Sequence, residues 1–146
     1  MDCAFFPYGT KSKEFLIKRC IYLIEYLKEK CDKIIIACNT LSLLVLPVIK
    51  GFFTNVYGVF DDLKVYILPN SIIIGSKMTI DLVSLEYSNK VIDGTSLINA
   101  IQNNLDYKNI LFKINKEING YDNIILACTH FLKLKDEFII KSIKNI

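Results

Sequence analysis

Short apolar runs that do not alternate with polar residues are the strongest constraint on how this chain folds. They occur in IIIAC at 34–38 and IILAC at 124–128. A strand with one wet face alternates apolar and polar side chains. A continuous run instead predicts a strand buried on both faces, as in a parallel sheet covered by helices. Between the runs the apolar spacing turns helical. Ser12 to Lys30 carries apolar residues at the helical spacing of Leu16, Cys20, Leu23, Ile24 and Leu27, with Ser12 placed to cap the start. Further helices are predicted over 40–50, where Pro47 bends or ends the helix, and over 78–87, 96–105, 109–118 and 132–143. Strands are predicted over 33–38, 56–60, 71–75, 90–92 and 123–128. Strands separated by helices imply an α/β fold of parallel βαβ units. Turn residues cluster between Asp61-Asp62 and Pro69-Asn70, dividing the chain into an N-terminal lobe, 1–62, and a C-terminal lobe, 63–146.

Composition narrows the function classes. The 146 residues suit one ordinary domain or two small lobes, and 52% hydrophobic residues can build a sizeable core. A net charge of +3, with lysines scattered among acids, describes a solvated surface better than a nucleic-acid patch. Every apolar run is broken well before the roughly 20 residues of a membrane span. The start, MDCAFFPYG, has no basic stretch ahead of an apolar one, so no secretory signal is expected. Five cysteines without framework spacing, and one histidine, argue against a disulfide scaffold or a zinc site. Reduced thiols in a cytoplasm fit better.

One peptide is nearly repeated. Residues 34–40 read IIIACNT and residues 124–130 read IILACTH. The repeat predicts two similar half-units, each presenting a cysteine at the carboxyl end of a strand, where parallel α/β sheets bind ligands. Helix amides following such a cysteine favour the thiolate and lower the thiol from its ordinary value of about 8.5. Asn39 with Thr40, and Thr129 with His130, add donors suited to a carboxylate ligand. Cys38 and Cys128, facing one small anion across a cleft, could remove a proton from one side of a carbon and return one on the other, without a metal. His130 could tune the neighbouring thiol or exchange a proton with it. Cysteine is among the most buried residue types, and Cys3, Cys20 and Cys31 are read as ordinary thiols: near the terminus, on an apolar helix face and just past a helix end.

These segments resemble the aspartate/glutamate racemase superfamily, glutamate racemase most closely. ACNT at 37–40 is similar to the family's first cysteine motif. ACTH at 127–130 is similar to its second, with Ala127 in place of glycine. DCAFFPYGTKS at 2–12 is similar to its D-T-A-R-x-P-Y-G-x-K-S segment. The resemblance implies two small pseudo-symmetric α/β lobes and a cofactor-independent isomerase interconverting L- and D-glutamate, with D-glutamate used for peptidoglycan and hence cell shape. It implies Cys38 and Cys128 as the acid/base pair, assisted by His130. Tyr8, Gly9, Asn39, Thr40, Thr129 and His130 match substrate-binding positions, and Thr79 matches a further binding threonine through a loose alignment.

Departures from the family pattern are as informative. Nothing matches the D-S-G-x-G-G-type loop with which family members begin, so the first βα unit and the C-terminal return segment are expected to be missing. Phe5 stands where the family usually has arginine. Gln102, in LINAIQNN, stands where a family carboxylate assists the second cysteine, leaving His130 without that charge. Three functional expectations follow: an active racemase in which a homodimer partner covers the open side, with aspartate racemase as a variant; an inactive racemase fragment; and a module that binds acidic ligands or partners. None of the three calls for a cofactor, a metal, nucleic acid or a membrane.

Overall fold

A computed structural model of the chain describes residues 5, 8, 11–59, 68–85, 87–138 and 143–145. They belong to two compact units, Met1–Asp61 and Asp62–Ile146. Both are mixed α/β with parallel strands.

The first unit contains α1 (Lys13–Leu27), β1 (Ile34–Ile36), α2 (Asn39–Ile49) and β2 (Val56–Gly58). Ser12 caps α1, its side chain accepting from the Phe15 amide. This satisfies one of the amides a helix start leaves without a partner. Strands β1 and β2 pair in parallel, Ile34 with Val56 and Ile36 with Gly58, so β1–α2–β2 is one βαβ unit. Leu16, Cys20 and Ile24 on α1 and Val45, Leu46 and Ile49 on α2 form the buried side. Gly58 is required where β2 meets α2. A Cβ there would lie 2.3 Å from Leu46 Cδ1 and 2.8 Å from Ser42 Cβ.

One expectation changes here. Strand β1 is not buried on both faces: Ile36 is buried, but Ile35 remains 69% exposed. Its unalternating sequence suggests two covered faces, yet only the Ile36 face is covered. Helix α2 runs to Ile49 with Pro47 inside it, in line with the helix predicted over 40–50.

The second unit contains β3 (Ser71–Gly75), α3 (Lys77–Ser84), β4 (Lys90–Asp93), α4 (Thr95–Gln102), α5 (Lys108–Ile118), β5 (Asn123–Ala127), a 3₁₀ segment (Thr129–Glu137) and β6 (Ile143–Asn145). Its sheet runs β4–β3–β5–β6, every pair parallel. All five residues of β3 are buried, as are four of the five in β5; β5 is thus the buried strand the sequence predicts, and β3, predicted as a strand, is buried with it. Leu97, Ile98 and Ile101 of α4 and Leu111, Ile114 and Ile118 of α5 pack with Ile72, Ile74, Ile124 and Leu126 of the sheet. Among the described residues the span predicted as a helix over 132–143 holds no α-helix: the 3₁₀ segment runs to Glu137 and strand β6 begins at Ile143.

Candidate active site

In the first unit, β1 delivers the chain to Cys38, which caps α2 in an extended conformation (φ −91°, ψ 121°). Two hydrogen bonds fix this turn. Ser42 Oγ donates to the Ile36 carbonyl at 2.8 Å and accepts from the Val59 amide at 3.3 Å. One buried hydroxyl thus ties α2 to β1 and to the residue following β2. The only sequence hint of this role is a hydroxyl inside the apolar stretch Leu41–Leu46, where it must find a partner.

Cys38 is half-buried. The amides of Leu41 and Thr40 and the Thr40 hydroxyl favour its thiolate, as expected of a helix start. Burial outweighs them and pushes the thiol up. That reverses the expected direction at Cys38. Cys20, on the buried side of α1, is pushed up to about 11, first by burial and then by Cys38. Thr40 is buried. Asn39 is 3% exposed, and neither its side-chain nitrogen nor its oxygen has a hydrogen-bond partner among the described residues. A buried amide left so costs about 1–3 kcal/mol per unsatisfied group. Tyr8 is half-buried, with its carbonyl accepting from the Lys11 amide at 3.0 Å; Gly9 lies outside the described residues. Phe5 packs edge-on against Phe15, with ring centroids 5.2 Å apart, and the Arg19 guanidinium lies 4.7 Å from the Phe5 centroid.

In the second unit the register pairs Gly75 with Ala127, so Ser76 and Cys128 leave the sheet at the same carboxyl edge. Cys128 Sγ lies 3.4 Å from His130 Nδ1, and His130 Nε2 lies 3.2 Å from Gln102 Nε2 at the end of α4. The position read from the sequence as lacking a carboxylate therefore contacts the histidine directly. Burial, and then the Lys133 ammonium, lower the His130 pKa and favour the neutral ring. Phe131, fully buried, anchors the segment. Its amide donates to the Cys128 carbonyl at 3.1 Å and its ring stacks edge-on with Phe138. Gly94 leaves room for that ring, since a Cβ there would lie 2.6 Å from Phe131 Cζ.

Thr129 is exposed. Thr79 is 1% exposed at the start of α3. Its amide donates to Ser76 Oγ at 3.3 Å and its own hydroxyl lies 2.9 Å from the same atom, an N-capping arrangement. The structure therefore gathers Cys38, Asn39 and Thr40 in one unit and Cys128, Thr129, His130 and Gln102 in the other. Among the described residues no group of three or more His, Cys, Asp or Glu side chains could hold a metal ion, and no helix is long and apolar enough to cross a membrane.

Parallel βαβ units with a cysteine leaving a strand in each unit define an α/β protein with a thiol at a strand end in both units. Comparison with known proteins narrows the class. The glutamate racemase of Buchnera aphidicola subsp. Acyrthosiphon pisum is 32% identical over 174 residues, spanning 100% of this chain and 63% of that protein. The crystal structure of glutamate racemase from Campylobacter jejuni superposes with a TM-score of 0.73 at 27% identity, covering 98% of this chain and 67% of that one. That of the Escherichia coli enzyme, in complex with L-glutamate and the activator UDP-MurNAc-Ala, gives 0.76 at 17% identity over 99% and 65%, a likeness of fold alone. No family model matches the chain. By sequence and fold it is similar to glutamate racemases, and it spans between 56% and 63% of the length of the first curated relatives it matches.

Proposed function

We propose that this chain acts in cofactor-independent racemisation of glutamate, with Cys38 and Cys128 as the two acid/base groups. One sulfur, as thiolate, takes the α-proton; the other, as thiol, gives a proton to the opposite face of the same carbon. Tyr8, Gly9, Asn39, Thr40, Thr79 and Thr129 would hold the substrate. D-Glutamate made in this way would supply peptidoglycan in the cytoplasm, from a homodimer.

The observation that carries the reading is the buried Asn39 side chain beside Cys38. Its donor and acceptor both lack partners among the described residues. A bound amino acid, whose carboxylate accepts and whose ammonium donates, satisfies both kinds of group at once. Thr40 stands next to it in the same helix turn.

A second reading, binding of an acidic ligand without turnover, is favoured by one observation. Burial holds the Cys38 thiol above its ordinary range, which disfavours the thiolate in the free protein. Deuterium uptake at the α-carbon of glutamate in D₂O separates the two. The full chain should exchange that proton, and Cys38→Ala or Cys128→Ala should each reduce the rate by roughly 10²–10⁴. Folded protein that binds glutamate but exchanges nothing would leave the binding reading. Exchange persisting in both single variants would end the two-thiol assignment.

A further inference from the structure

The geometry around His130 points to Gln102 as a positioning residue: by turning its side-chain amide over, it serves either neutral tautomer of the ring, so that Cys128 is hydrogen-bonded both as thiol and as thiolate. This rests on the racemase reading above, in which Cys128 both takes and gives a proton.

The argument is one of donors and acceptors along a chain of three side chains. Cys128 Sγ meets Nδ1 at 3.4 Å, and Nε2 meets the Gln102 amide at 3.2 Å. A thiolate only accepts, so it needs a proton on Nδ1. The neutral ring then has a bare Nε2, which needs a donor, and the amide NH₂ supplies one. A thiol facing the ring donates to a bare Nδ1. The proton then sits on Nε2 and needs an acceptor, which the amide oxygen supplies after a half-turn. Between the two states the assembly gains one proton. It is bound at sulfur; the ring exchanges its Nδ1 proton for one on Nε2 and stays neutral.

A carboxylate at position 102 can only accept. It supports the Nε2–H ring, and opposite a thiolate it requires the imidazolium. The surroundings suit the neutral alternative. Strand β5 and helix α4 carry no titratable side chain. On the 3₁₀ segment Lys133 is the charge that acts on the ring, and it opposes imidazolium formation. Lys135, Asp136 and Glu137 of the same segment are exposed, and Glu137 accepts from the Tyr107 hydroxyl at 2.9 Å. Gln102 is the last residue of α4 and half-exposed, so it can be changed without opening the core.

His130 is the chain's one histidine, so its ring nitrogens can be followed without assignment by mutation. We would record ¹⁵N shifts of this chain without glutamate as pH rises through the titration of Cys128. The ring should pass from Nε2–H to Nδ1–H in the wild type. In Gln102→Glu it should hold the Nε2 proton throughout and charge at higher pH. Site-resolved alkylation of Cys128 near neutral pH should rise about three- to tenfold in that variant, as the imidazolium lowers the thiol pKa while its nucleophilicity falls. Gln102→Leu should lose the tautomer change without the gain in alkylation. A wild-type ring that keeps one tautomer throughout overturns the proposal, as does a Gln102→Glu variant with unchanged histidine titration and alkylation. Neither readout uses turnover, so a failed racemase reading and a failed tautomer reading would be told apart.

Discussion

Two nearly identical peptides end in different chemical settings. Ala37-Cys38-Asn39-Thr40 leaves a two-stranded sheet and starts an eleven-residue α-helix, with its sulfur close enough to Cys20 to raise that thiol. Ala127-Cys128-Thr129-His130 leaves a four-stranded sheet and enters a 3₁₀ segment, with its sulfur against an imidazole. The strand end fixes where each cysteine stands, but the residues that follow decide its chemistry. An α-helix offers Cys38 backbone amides. Cys128 draws on a side-chain relay, and the 3₁₀ turn brings His130 round to it.

The two settings are also held in place differently. In the second unit the cysteine turn hangs on a large apolar anchor, and in the first on a hydroxyl. Phe131→Ala removes a fully buried ring that packs on Phe138 and fills the space left by Gly94. It should cost about 3–5 kcal/mol in urea unfolding. Ser42→Ala deletes one bond to the Ile36 carbonyl and one from the Val59 amide. It should cost about 1–3 kcal/mol by the same measurement. If Ser42→Ala proves the more damaging, the first unit is not the more lightly held of the two.

The strands and most helices were legible because side-chain period reports burial directly. Ser71–Gly75 reads as a strand and proves buried; Asn123–Ala127 reads as a buried strand and is one. Ile34–Ile36 reads the same way, yet Ile35 is exposed, because a sequence run shows what could be covered and not whether a cover is present. The apolar residues between 131 and 138 fit either an α-helix or a tighter turn. The buried residues Phe131, Leu134 and Phe138 keep the spacing of an α-helix, so the tighter turn taken here is not written in the apolar pattern. At the site, the repeat placed both cysteines at strand ends from sequence alone. The contact of His130 with Gln102 spans two elements, and no local pattern encodes it. The direction of the Cys38 shift was misread because helix amides can be inferred from sequence, while the depth of burial that outweighs them cannot.

The smallest expected effect sharpens the comparison through pH. His130 in the second unit and Cys20 in the first should respond at opposite ends of the scale. In the second unit the His130 pKa is lowered in the fold, so the unfolded chain binds that proton more readily. The stability tied to the neutral ring is present above the unfolded value of about 6.5 and is lost as pH falls through the folded one. In the first unit Cys20 is raised from 9.0 to about 11 in the fold, so the folded chain holds that proton longer. Its contribution is complete below 9.0 and disappears as pH rises toward about 11. Melting temperatures across both ranges should show the alkaline decline shrinking in Cys20→Ala while the acid decline stays. Cys38 and Tyr107 are raised as well, so some alkaline decline should survive the substitution. An alkaline limb unaltered by Cys20→Ala would mean that this thiol is no more buried in solution than in the unfolded chain. The packing of α1 beside Cys38 would then have to be redrawn.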